Sequence, residues 1–150
     1  PSCELNRLRT AGAHFGLPYC HQGDTPDDKF TAKACKDFVP PAAKLGAHVA
    51  PLGMRFYTGT MFPPEYRGQV FVARHGSWNR SSKVGYDVVA VKLDKAGRVT
   101  GQEVFASGWL RDEKSSGRPV DLLVMPDGAL LVSDDQGGRV WRISYRSSPP

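Results

Sequence analysis

Nothing in this chain is long and apolar enough to cross a bilayer: no hydrophobic run approaches the roughly 18 to 20 residues of a membrane span. Helical periodicity is also missing. No stretch of about ten residues or more reads as a persuasive helix, which argues against a bundle. No C-x2-C pair occurs, so a zinc site of the usual spacing is not expected. The net charge is +5, with a pI of about 9.3, but the basic residues form no block and no RNA-binding motif accompanies them. Nucleic acid is therefore not an expected partner. A pocket for a small polyanion suits the same charge. No secretory signal is visible and the first residue is Pro1, not Met, which reads as a processed chain or a piece of a longer one.

Cysteine is sparse, with three in 150 residues. Cys20 and Cys35 flank the polar, turn-rich stretch "HQGDTPDDKFTAKA", which has little core of its own. A disulfide closing a loop of this size contributes about 3 kcal/mol. The expected pair is thus Cys20–Cys35, with Cys3 left odd, and the expected compartment is oxidising: periplasmic or secreted.

What the chain does have is turn residues. Sixteen glycines and twelve prolines favour many short strands over long helices. From residue 68 onward the strands are legible: Gln69–Arg74, Tyr86–Leu93, Val99–Ala106, Val120–Met125, Ala129–Ser133 and Val140–Tyr145. Asp94–Gly97, Pro126–Gly128 and Gln136–Gly138 supply the turns between them. Upstream, 48–59 reads as a strand broken by Pro51 and Gly53, "CELNRL" as a helical turn or short strand, and 21–45 as a long loop. This is an all-β pattern.

A weak repeat lies within it. "RGQVFVARHGSWNRSSKVGYDVVAVKL" resembles "DGALLVSDDQGGRVWRISY", with Gly68 and Gly128 sixty positions apart. Each copy runs glycine, apolar strand, polar loop, alternating strand. A unit of four strands is the blade of a β-propeller, and loops on one face of a propeller converge on a pocket. In the first copy that loop is "HGSWNR". A turn needs Gly76, Ser77 and Asn79 but has no need of an imidazole, an indole and a guanidinium beside them. His75 and Asn79 can donate hydrogen bonds, and Trp78 offers a flat face. Arg118, in "GRPVD", carries the planar fork best suited to a carboxylate, and Pro119 stiffens the backbone beside it. Asp134 and Asp135 read as turn residues or acceptors for backbone amides.

The stretches "ELNRLRTAGAHFGLPYC", "AHVAPLGMRFYTG", "YRGQVFVARHGSWNR", "GRPVDLLVMPDGALLVSDD" and "GRVWRISY" together resemble the C-terminal part of the soluble PQQ (pyrroloquinoline-quinone)-dependent sugar dehydrogenases, in the sorbosone or aldose dehydrogenase branch. The resemblance covers most of residues 4–145. It implies about two and a half blades of a six-bladed β-propeller. It further implies a cofactor wall in which Arg118 binds a quinone carboxylate and His75, Trp78, Asn79 and His48 line the same face. The cofactors implied are PQQ and a calcium ion, the latter held largely by carbonyls upstream of "ELN". The family's catalytic base also lies upstream of Pro1, so no catalytic residue is assigned here.

The implied reaction oxidises a sugar or aldehyde by hydride transfer to the quinone. The implied partners are that substrate, an electron acceptor, and the remaining blades or another copy of the chain. The alternative is a non-catalytic propeller scaffold. Two positions depart from the family pattern: Cys3 stands where an acidic residue is usual, and Leu17 where tryptophan is.

Overall fold

A computed structural model describes residues 1–146, which form two compact units, Pro1–His48 and Val49 onward. Its regular structure is almost entirely strand, with two single-turn 3-10 helices at Cys35–Asp37 and Pro64–Tyr66. No helix among the described residues is long and apolar enough to cross a membrane.

The first unit holds β1 (Ser2–Leu5), β2 (Cys20–His21), β3 (Thr25–Pro26) and β4 (Ala43–Ala47), with β1 antiparallel to β4 and β2 to β3. So "CELNRL" starts as a strand, and the stretch read as one long loop holds the end of β2, all of β3 and the start of β4. Their signal is weak because β2 and β3 are two residues each and β4 is interrupted by Gly46. The Cys20–Cys35 disulfide forms, as expected, and Cys3 is free. Little apolar surface supports this unit. Cys20 and Leu45 are its buried apolar residues, and a His14–Phe38–Tyr19 ring cluster stands beside them, so the crosslink substitutes for a core. Two of its histidines are structural: His14 accepts the Gly16 N–H, and His21 pairs with Asp27 at 2.8 Å.

The second unit is built on two antiparallel sheets. The larger has four strands in sequence order: β5 (Pro51–Phe56), β6 (Val70–Arg74), β7 (Asp87–Leu93) and β8 (Val99–Ala106). After it comes a small hairpin of β9 (Leu110–Arg111) and β10 (Lys114–Ser115). The other main sheet has three strands: β11 (Pro119–Val124), β12 (Leu130–Asp134) and β13 (Arg139–Ile143). All six strands read from the sequence after residue 68 are present, within one or two residues at each end. The propeller-like expectation holds: one full four-strand blade, followed by three strands of the next. Among the described residues β13 pairs on one side only, with β12.

The strand sequences explain the stacking. β6 and β7 are buried on both faces and read as near-continuous apolar runs, "VFVAR" and "DVVAVKL". β11 packs against β5 and β6 of the preceding blade. There the chains come so close that a Cβ on Gly53 would lie 2.2 Å from Asp121 Oδ1, so only glycine fits. Both inner strands carry a register irregularity at the same place, after Pro51 and after Pro119, which is the repeat seen again in three dimensions.

Tyr57 ties the blades together. It is fully buried; its hydroxyl donates to Gly128 O at 2.7 Å and accepts from Met61 N and Phe62 N. Tyr57→Phe would leave those buried groups without their partner. We expect a loss of about 2 kcal/mol, read as a lower midpoint in urea with an unchanged slope. An unchanged midpoint would show that water replaces the hydroxyl.

Candidate functional site

The strand register brings the "HGSWNR" loop and the "GRPVD" segment to one end of the two sheets. Arg74, at the end of β6, pairs with Pro51 at the start of β5 and Asp87 at the start of β7. Asp134, at the end of β12, pairs with Pro119 at the start of β11 and Arg139 at the start of β13. Residues just beyond these four pairings therefore crowd one edge: His75–Gly85 from the first blade, Arg118 and Asp135–Gly138 from the second.

The base of the loop is rigid. His75 N–H and Gly76 N–H donate to the carbonyls of Ala50 and Val49. Ser77, 2% exposed, donates its N–H to Val84 O at 2.9 Å and accepts the Val84 N–H on its hydroxyl at 3.1 Å. The buried Tyr86 hydroxyl donates to Ser77 O. The Tyr86 ring lies where a side chain on Gly76 would be, 2.3 Å from an ideal Cβ, and Gly76 has φ +97°. Glycine is required there twice over, by conformation and by space.

Arg118 is held by backbone. Its Nε donates to His75 O at 3.1 Å and an Nη2 hydrogen to Gly76 O, while its guanidinium lies 5.3 Å from the Tyr86 ring centroid. Its own N–H donates to Asp134 Oδ1 at 2.8 Å. Gly117 precedes it because a Cβ would sit 2.2 Å from Asp134 Oδ2. Asp134 is buried and also accepts Gly137 N–H and Trp141 Nε1–H. Burial pushes its carboxyl pKa up, but the hydrogen bonds from Trp141, Arg118 and Gly137 outweigh that and hold it below the usual value. No carboxylate among the described residues lies within ion-pairing distance of Arg118, although its charge helps to lower the Asp135 pKa, and no described residue bonds its Nη1.

His75 Nε2 lies 2.9 Å from Asp135 Oδ1 and 3.1 Å from Oδ2. The His75 hydrogen bond lowers the Asp135 pKa. The structure thus joins His75 to Arg118, two of the expected site residues, and adds Asp135. Trp78 projects from the braced base with 84% of its surface exposed, and Asn79 beside it is exposed. His48 belongs to the first unit, where it is exposed with φ +61°.

Sequence reading missed the β9–β10 hairpin. Its turn residues, Asp112 and Glu113, both have positive φ (48° and 60°), a geometry usually signalled by glycine or asparagine. Glu113 fastens that hairpin to the loop, accepting Lys83 N–H at 2.7 Å on its carboxylate and the Lys83 ammonium at 2.6 Å on its carbonyl.

A further feature stands at the edge of the site. Arg74 and Asp87 form a two-pronged ion pair, Nε–Oδ1 at 2.6 Å and Nη2–Oδ2 at 2.5 Å, with side chains only 15% and 10% exposed. Among the described residues no group of three His, Cys, Asp or Glu side chains could hold a metal ion.

Comparison with known proteins gives this geometry a context. A family model described as TrAA12-like matches residues 6–146. An uncharacterised protein of Borreliella burgdorferi is 42% identical over 149 residues, covering 97% of this chain and 39% of that protein. A pyrroloquinoline quinone-dependent pyranose dehydrogenase of Coprinopsis cinerea is 33% identical over 130 residues, covering 74% of this chain and 17% of that one. Among solved structures, the calcium structure of a Trichoderma reesei carbohydrate-active enzyme of family AA12 superposes with a TM-score of 0.76 at 26% identity, over 93% of this chain and 42% of its own. The chain therefore spans about two fifths or less of the length of the relatives it matches.

Proposed function

Because the chain belongs to the TrAA12-like family, we propose that it forms part of a PQQ-dependent oxidoreductase and supplies one wall of the cofactor site. The observation that carries this reading is Arg118. A guanidinium is held by two carbonyls and an aromatic face at the end of two blades, with no carboxylate paired to it. Such a group is poised for an anionic ligand.

The donor set fits the quinone. PQQ is a flat aromatic frame bearing three carboxylates. Arg118 Nη1 has two hydrogens to offer a carboxylate, His75 Nδ1 is a second polar contact, and exposed Trp78 is a flat wall. Asn79 stays as a proposed member of that wall on the strength of the family resemblance. The bound quinone supplies a hydride acceptor for a sugar hydroxyl or hydrated aldehyde. This chain's residues bind and orient it: the Ala50 and Val49 carbonyls fix the backbone of His75 and Gly76, and Tyr86 and Arg118 fix the loop from below. No metal cluster is available among the described side chains, so calcium is assigned to ligands other than these. No described residue is assigned as the base.

The proposed substrate class is a pyranose or a sorbosone-type aldehyde, with electrons leaving to a separate acceptor. The disulfide supports a periplasmic or secreted setting. The edge of β13 supports a partner strand, from further blades or from a second copy.

Calorimetric titration of the chain with PQQ, with and without calcium, tests the proposal. Saturable binding weakened roughly tenfold or more by Arg118→Ala and by His75→Ala is expected, from the worth of charge-assisted hydrogen bonds. Binding indifferent to both substitutions would remove the cofactor wall and leave the non-catalytic scaffold in its place.

A further inference from the structure

Asp135 has no role in the cofactor reading, yet its carboxylate lies 2.9 Å from the His75 ring nitrogen Nε2. The two occupy the same place in successive blades, 60 residues apart, each one position beyond its blade's second strand. Both Asp135 oxygens are within hydrogen-bond reach of Nε2. A carboxylate can only accept, so Nε2 must carry a hydrogen. The His75 hydrogen bond holds the Asp135 carboxyl below its usual pKa. The backbone beneath the ring cannot drift, since Arg118 holds the carbonyls of His75 and Gly76 while Ala50 and Val49 hold their N–H groups. With Nε2 committed, Nδ1 is the ring atom left to meet a ligand.

We infer that Asp135 is a positioning residue: it fixes the proton of His75 on Nε2 and so makes Nδ1 the atom presented to the cofactor. In the neutral ring Nδ1 is then an acceptor. In the doubly protonated ring it is a donor, and Asp135 balances the added charge beside an anionic ligand. The choice of PQQ as that ligand rests on the function proposed above; the state of the ring does not.

The test separates the two. Nitrogen-15 shifts of His75 in the full chain near pH 8, assigned by loss of the signal in His75→Gln, report which nitrogen bears the proton. The wild type is expected to show Nε2–H. Asp135→Asn keeps the shape but not the obligate acceptor, and an aspartate-to-asparagine change beside a histidine is known to admit the wrong tautomer. Asp135→Asn, whose amide can donate to Nε2, should move the proton toward Nδ1, whereas Asp135→Ala should only lower the Nε2–H excess to that of a free imidazole; both should weaken PQQ binding about tenfold. Asp135→Glu should restore both readings in part. Asp135 is exposed, so these variants are expected to fold.

An unchanged tautomer in Asp135→Asn would overturn the inference, whatever happens to affinity. A shifted tautomer with unchanged PQQ affinity would also overturn it, because the presented atom would then not touch the cofactor. If the wild type binds no PQQ, the proposed function fails, and the tautomer alone still decides whether Asp135 positions the ring.

Discussion

Asp87→Ala is expected to destabilise the second unit by about 4 kcal/mol, the usual cost of leaving one partner of a buried ion pair without the other. For a chain of this size that is a fall of roughly 10 °C or more in melting temperature. The reason is local. Arg74 and Asp87 are cross-strand neighbours on β6 and β7, largely shielded from water and joined by two parallel hydrogen bonds. Removing the carboxylate takes both of these hydrogen bonds from a guanidinium next to the buried valines of β7. The double variant Arg74→Met, Asp87→Leu should recover much of the loss, because well-packed apolar residues often replace a buried pair without penalty. Differential scanning calorimetry of the two variants decides it. A mild single variant would mean that water reaches the pair and screens it.

Gly76→Ala should damage the site and the fold together. A methyl group there has φ +97° to tolerate and meets the Tyr86 ring at 2.3 Å. Backbone strain and overpacking together are expected to cost about 4 kcal/mol. The functional loss follows from the geometry: Tyr86 cannot move without releasing the Arg118 guanidinium stacked on it and the Ser77 carbonyl bonded to its hydroxyl. PQQ affinity should therefore fall at least as far in Gly76→Ala as in Arg118→Ala, even at a temperature where the variant stays folded. Titration at 10 °C alongside a denaturation curve checks both parts. Full affinity in a destabilised variant would separate the loop from the cofactor.

Much of this was legible in the sequence, for reasons that particular residues make plain. β6 and β7 announce themselves because strands buried on both faces must be apolar throughout, and "VFVA" and "VVAV" are. His75 stood out because its chemistry exceeds what a turn requires, and Arg118 because "GRPVD" carries the family resemblance. Asp135 did not, since "DDQGG" reads entirely as turn chemistry. Its partner is in another blade, and only the 60-residue repeat, applied position by position, pairs it with His75. Asp134 was legible, as an acceptor for backbone amides. The β9–β10 hairpin was hidden because Asp112 and Glu113 adopt a glycine-like backbone without glycine. The short strands of the first unit were hidden because a disulfide, not a hydrophobic pattern, supports it.

The most direct test of the central claim is a crystal structure of the chain grown with PQQ and calcium. The account predicts quinone density at the end of the two blades, with a carboxylate within hydrogen-bond distance of Arg118 Nη1 and the ring nitrogen Nδ1 of His75 turned toward it. A quinone bound elsewhere, with Arg118 and His75 still facing solvent, would contradict it.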